Sequence, residues 1–104
     1  MAELIIEPEA EAELEEAGDR YEESVPGLGL EFLLEMRERT LDVAEAPLSY
    51  PVFGGVADVR CAHAVGRFPH LIVYIPFGDA FHVLAFMHPR RRPGYLANRG
   101  PLRQ

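Results

Sequence analysis

The sequence predicts an α+β domain in which an N-terminal strand and an antiparallel helical hairpin pack on a small twisted antiparallel β-sheet. Three observations predict it. Apolar residues recur at helical spacing in the first half, the period changes to two in the second half, and Pro and Gly mark both the change and the turns. The chain has 104 residues, enough for one core and too few for two, so residues 1–104 form one domain. A hydrophobic fraction of 48% excludes a disordered chain. No apolar run approaches the roughly 18 residues that a membrane span requires.

Leu4, Ile5 and Ile6 form a short apolar run that stops before Pro8, which reads as a strand followed by a helix with proline in its first turn. From Pro8 to Ser24, Ala10, Leu14, Ala17 and Tyr21 fall at spacings of 4, 3 and 4, with glutamates on the other faces. That pattern predicts an amphipathic helix, in which Glu16 and Arg20 stand one turn apart in the favourable order. Pro26-Gly27-Leu28-Gly29 ends it. A second pattern from Leu30 to Ala46 places Leu33, Met36, Thr40 and Val43 on one face, flanked by Phe32 and Leu41, until Pro47 stops it. So short a connection predicts a helical hairpin.

Beyond Tyr50-Pro51 three β-like runs form a meander. Val59, Cys61, His63 and Val65 alternate with Arg60, Ala62 and Ala64. Leu71, Val73, Ile75 and Phe77 alternate with Ile72 and Tyr74. Phe81, Val83, Ala85 and Met87 alternate with His82, Leu84 and Phe86. Turns are expected at Gly66-Arg67 and Gly78-Asp79, with Pro76 near the second turn, where a missing ladder donor is tolerated. The second and third runs are apolar on both faces, as central strands covered by helices are. The polar, basic tail 88–104 is broken by prolines and expected on the surface or in a short terminal turn.

Charge divides along the chain. Residues 1–50 hold 15 acidic side chains and 3 arginines, a balance of -12, while residues 51–104 hold 2 acids and 7 arginines, a balance of +5. The net charge of -7 is the sum of these two parts. All ten basic residues are arginine, which removes lysine from any catalytic role. Cys61 is the single cysteine, so it forms neither an intramolecular disulfide nor a multi-cysteine zinc site, and it reads as a small buried residue. The first residues carry neither the basic start nor the apolar stretch of a signal peptide, and a cytoplasmic location is expected.

Several segments in this order carry a resemblance. The helix AEAELEEAGDRYEES is followed by VPGLGLEFLLEM, by an exit between Pro47 and Pro51, and by VRCAHAVGRFPHLIVYIPFGD and FHVLAFMHPRRRPGYLANR. Within these stand Phe68, Pro69, Ile72 and Tyr74 as FP-x-x-I-x-Y, then a Gly-Asp hairpin, then V-L-A-x-x-H ending at His88, and R-x-P-x-Y at Arg91, Pro93 and Tyr95 with a trailing Arg99. Over nearly its whole length the chain resembles the RelE/ParE superfamily of toxin-antitoxin toxins, and within it the ParE-like, plasmid-stabilisation members. The resemblance implies a helical hairpin packed on a twisted sheet and a growth-inhibiting toxin. It implies a cognate antitoxin as partner, through which alone the chain would meet DNA. ParE-like members inhibit DNA gyrase, and RelE-like members cut messenger RNA on the ribosome. Leu96 departs from the tryptophan that many relatives place after the tyrosine, and this removes an aromatic anchor for the tail.

RNA cleavage by a 2′-hydroxyl needs a base, an acid and cationic donors aimed at the phosphate. The candidates for that chemistry are His88, Arg60, Arg67 and Tyr74, with Arg60 and His88 resembling positions where RelE-like nucleases keep their arginine and acid/base group. Three of them have a structural alternative: His88 as a strand cap, Tyr74 as core with its hydroxyl at the rim, Arg60 paired with glutamates of the first helix. Arg90, Arg91, Arg92, Tyr95 and Arg99 are the candidates for contact with a target or partner. The net negative charge disfavours the ribosome and favours a protein target such as gyrase. A nuclease and a non-toxic module whose partner is an antitoxin are the other two readings. The antitoxin is expected to cover apolar and basic surface along the helical hairpin and sheet through an acidic amphipathic segment, and because the first helix is so acidic, the groove it contacts is expected mainly on the C-terminal half. His63, His70, His82 and His88 have no spacing that fixes a metal, so neither a metal site nor a cofactor is expected.

Overall fold

The structure, a computed structural model, describes residues 2–53, 58–63, 67–90, 96 and 99–102. Its elements are β1 (Leu4–Ile6), α1 (Pro8–Ser24), α2 (Leu28–Glu45), a 3-10 turn (Pro47–Ser49), β2 (Arg60–His63), β3 (Leu71–Phe77), β4 (Ala80–Met87) and a terminal 3-10 turn (Gly100–Leu102). α1 has the predicted bounds; α2 begins at Leu28, two residues before the expected start.

That earlier start has a local cause. Gly27 takes φ +88°, which lets the chain reverse directly into α2. Glu22 of α1 then accepts the backbone N–H groups of Gly27 and Gly29 at 2.8 and 3.0 Å, so one carboxylate caps the start of α2 from the neighbouring helix. The helices approach closely there: a Cβ built on Gly29 would lie 2.5 Å from the carbonyl oxygen of Gly18. Ala10 and Ala17 are buried along the same helix.

The sheet has the order β1-β4-β3-β2. β2, β3 and β4 form the expected antiparallel meander, but β1 joins β4 in parallel, with Leu4 opposite Phe81 and Ile6 opposite Val83. The sheet is therefore mixed rather than wholly antiparallel. Separated from β4 along the chain by both helices and by β2 and β3, β1 is not tied to it by a hairpin and can run in either direction. Pro76 lies opposite Phe81, one pair from the end of the β3–β4 hairpin, where its missing donor is tolerated. Gly78, at φ +64°, forms the turn. The other expected turn, Gly66-Arg67, has Gly66 outside the described residues.

β4 does not keep the simple alternation. Val73 faces Ala85 while Tyr74 faces Val83, so Leu84 is an extra residue in β4. Beyond this bulge the faces exchange. Phe81, Val83 and Phe86 belong to the core beneath the helices, whereas Leu84, Ala85 and Met87 point to the opposite face. Phe86 is thus on the face opposite to the one simple alternation predicts.

Two cores result. Phe32, Met36 and Val43 of α2 and Ala10 and Ala17 of α1 pack on Ile72, Tyr74, Val83 and Phe86. On the far face Cys61, Leu71, Val73, Ile75, Leu84 and Met87 are covered by Val59, Phe53, Leu96 and Leu102. The central strands are apolar on both faces, as the sequence indicates, but helices cover only one. The far face is covered by the loop before β2 and by the tail, so the tail does more than run over the surface. Leu96, only 3% exposed, itself supplies the anchor that the missing tryptophan was expected to remove.

Candidate functional site

The end of the sheet beneath the second half of α1 brings two histidines together. Leu71 and Met87 form the last β3–β4 pair, and the adjacent residues just outside the ladder, His70 and His88, have ring centroids 5.6 Å apart and planes nearly perpendicular. The Leu84 bulge makes this possible by turning Phe86, and with it the following alternate position, toward the helices. His70 is buried among Tyr21, Phe32 and His88, and its Nδ1 has no hydrogen-bond partner among the described residues. Burial, the neighbouring His88 and Arg20 lower its pKa from 6.5 to about 4, so the ring is neutral. A cleft of about 380 Å³ runs along α1 here, between Glu9, Glu13, Glu16 and Arg20 on the helix and His70, His88 and Arg99 below.

The bulge also leaves polar backbone to be satisfied. β1 ends at Ile6, so among the described residues the β4 edge beyond Val83 has no strand beside it. An ion pair takes the strand's place. Arg99 Nη1 donates to Leu84 O at 2.9 Å and to Glu13 Oε1 at 2.7 Å, Arg99 Nη2 donates to Glu13 Oε2 at 3.1 Å, and the N–H of Phe86 donates to Glu13 Oε1 at 3.3 Å. Helix, strand and tail meet at this pair. Nearby, His82 Nδ1 lies 2.6 Å from Glu7 Oε2, and Gly100, at φ +47°, packs directly on the Glu7 carboxyl.

The residues expected to carry nuclease chemistry occupy separate places. Tyr74 is wholly buried and donates its hydroxyl to Pro47 O at 2.5 Å, and burial pushes its pKa up to about 12. It is core, and its hydroxyl is used inside the fold. Arg60 stands beside Tyr74 and donates to the carbonyls of Tyr50 and Leu48 at 2.5 and 3.4 Å, so it is held by backbone rather than by first-helix glutamates. Arg67 lies over Phe68 and pairs with Glu31 of α2 at 2.6 Å, both side chains being exposed. His88 accepts the N–H of Arg90 at 3.2 Å, as a strand-end cap does. Counting rows and strands between Arg60 and His88 places their backbones roughly 15 Å apart. The structure brings Arg60 and Tyr74 together, and it brings neither to His88.

Among the candidates for partner contact, Arg90 is exposed and described, Arg99 is held by Glu13, and Arg91, Arg92 and Tyr95 lie outside the described residues. The sequence reading missed His70 and Glu13. Period-two alternation through His70 and Ile72 marks the helix-facing side, but its pairing with His88 depends on the bulge, which no local signal announces. Among the described residues no group of three or more His, Cys, Asp or Glu is placed to hold a metal ion, and no helix is long and apolar enough to cross a membrane.

No curated protein matches the chain. Among solved structures, one described as the chromosomal ParDE TA system from P. aeruginosa is similar, with a TM-score of 0.75 and 19% identity over 85% of this chain and 96% of that one. At that identity the likeness is one of fold: two helices on a four-stranded mixed sheet. The family model for the ParE toxin of the type II toxin-antitoxin system parDE matches residues 4–93, from the first residue of β1 into the basic tail. Since the match takes in every strand and both long helices, the chain belongs to the ParE toxin family.

Proposed function

We propose that this type II toxin inhibits growth by binding DNA gyrase through its basic tail, of which Arg90 is exposed, and is neutralised by a cognate antitoxin. One observation supports the gyrase target over messenger RNA. Of the four residues that could cut RNA, only Arg60 and Tyr74 lie together, away from His88, and the Tyr74 hydroxyl and the Arg60 guanidinium are both turned to backbone carbonyls inside the fold. Acid-base catalysis needs its groups within hydrogen-bond reach of one substrate, and these lie in different neighbourhoods. A binding toxin needs only a surface. Arg90, with Arg91, Arg92 and Tyr95 following it in sequence, supplies cationic and aromatic groups of the kind that anchor protein interfaces.

The test is a supercoiling assay with purified gyrase. Wild-type protein is expected to inhibit it, and Arg90→Glu to weaken inhibition about tenfold, as loss and reversal of an interfacial charge does. Untouched supercoiling together with messenger cleavage in a translation extract, abolished by His88→Ala, would replace this reading with the RelE-like nuclease. Harmless expression without any antitoxin would replace it with the non-toxic binding module.

A further inference from the structure

At the C-terminal end of α1 a second, smaller cleft differs from the rest of the helix in charge. It measures about 220 Å³ and is lined by Ala17, Arg20, Tyr21 and Ser24 of α1 and by His70 and His88 just outside the β3–β4 ladder. Among the described residues no carboxylate lines it, although α1 itself carries eight acids. The cleft of about 380 Å³ beside it shares Arg20, His70 and His88 but adds Glu9, Glu13 and Glu16. Of these, Glu13 is held by Arg99, and Glu16 by Nη1 of Arg20 at 2.9 Å. Nη1 is the one engaged nitrogen of that guanidinium among the described residues, so Nε and Nη2 are open to a ligand.

The other polar groups of the small cleft are donors too. Tyr21 has no hydrogen-bond partner for its hydroxyl among the described residues, and burial raises its pKa, so it stays a phenol able to donate. His88 accepts the Arg90 N–H on Nδ1, which leaves Nε2 to carry a proton. His70 is 5% exposed with Nδ1 sealed and unpartnered, and Nε2 is the nitrogen left to reach a ligand. Buried N–H groups are rarely left orphaned, so its proton also sits on Nε2. The end of a helix ordinarily repels anions through its free carbonyls. Here Ser24 Oγ donates to Arg20 O at 3.3 Å and the Val25 N–H to Tyr21 O at 3.0 Å, so both are occupied.

Four donors and no carboxylate around one small cleft specify the ligand. We infer that this cleft binds a single oxyanion group of a small molecule, a carboxylate or a phosphate monoester, through the Arg20 guanidinium, the Tyr21 hydroxyl and the Nε2–H groups of His70 and His88. Guanidinium and imidazole donors to an oxyanion make short, charge-assisted hydrogen bonds. The volume suits a group of a few atoms, since pockets for larger ligands start at about 300 Å³.

Inorganic phosphate, acetate and the cation agmatine, each titrated separately into the full-length protein and followed by NMR, test this. Phosphate or acetate is expected to shift the signals of Arg20, Tyr21, His70 and His88 saturably, and the tighter of the two identifies the headgroup. Arg20→Gln and His88→Gln, both at exposed positions, are expected to weaken binding about tenfold, as loss of one such hydrogen bond does. Arg37→Gln, at an exposed position on α2, should bind as wild type does. If neither anion shifts these signals saturably, or if agmatine shifts them and the anions do not, the assignment is wrong. Equal weakening by Arg37→Gln would show a diffuse attraction to positive charge and would overturn it as well.

Discussion

At the scale of single residues, the pair Glu13 and Arg99 decides how the C-terminal region is held. Both side chains are largely buried, at 18% and 13% exposure, and together they satisfy the Leu84 carbonyl and the Phe86 N–H on an edge that no strand covers. Exposed ion pairs such as Arg67–Glu31 contribute a few tenths of a kcal/mol to about 1 kcal/mol. Removing one member of a buried, bidentate pair is a different event, because the other charge stays behind without its partner. Arg99→Ala should lower the unfolding free energy by about 2–3 kcal/mol. Arg99→Met combined with Glu13→Gln should recover part of that loss, since no buried charge is then left unpaired. Urea denaturation of the two single variants and the double variant measures the coupling. A loss below about 0.5 kcal/mol for Arg99→Ala would mean that water already satisfies the edge and that the pair is not what fastens the tail.

At the scale of elements, the closed end of the hairpin depends on the absence of a side chain. Replacing Gly29 by alanine would place a methyl group 2.5 Å from the Gly18 carbonyl and 2.9 Å from the Glu22 Cβ, and neither neighbour is a flexible chain end. The alanine gains helix propensity worth about 1 kcal/mol, but the contact forces α1 and α2 apart and disturbs the Glu22 cap, at about 2–3 kcal/mol, so a net destabilisation of about 1–2 kcal/mol is expected. Thermal unfolding checks it, and a stabilised Gly29→Ala would show that the helices separate freely. The sequence carries α1, α2 and the limits of β3 plainly, because each is a long run with a clear period and a proline or glycine at its end. It does not carry the parallel pairing of β1 with β4, a neighbour reached only after both helices and two further strands. Nor does it carry the Leu84 bulge, because Leu84, Ala85 and Phe86 are all apolar and suit either face. That one insertion is why the candidate site was only half legible: it turns Phe86 toward the helices and brings His88 to His70.

At the scale of the whole molecule, the division of charge maps onto two layers. The -12 half forms β1 and the hairpin, the +5 half forms the rest of the sheet and the tail, and the pairs Glu13–Arg99 and Glu31–Arg67 join them. His70 lies at the seam between these layers, with Tyr21 and Phe32 above it, His88 beside it and Arg20 at the rim of the cleft. Its lowered pKa makes global stability depend on pH with a definite sign. The unfolded chain takes a proton at this residue near 6.5, and the folded chain only near 4. Acidification therefore favours the unfolded state: the contribution of His70 is complete above 6.5, declines as pH falls from 6.5 toward 4, and is gone below that. Between about pH 7 and pH 5 the loss amounts to about 2 kcal/mol. His70→Phe keeps an aromatic ring against Tyr21 and Phe32 and removes the titrating group. Its unfolding free energy should fall by about 2 kcal/mol less than wild type over the same interval. Equal slopes for the two proteins would show that His70 is protonated without unfolding, and that the seam between the acidic and basic layers opens to water more readily than its packing indicates.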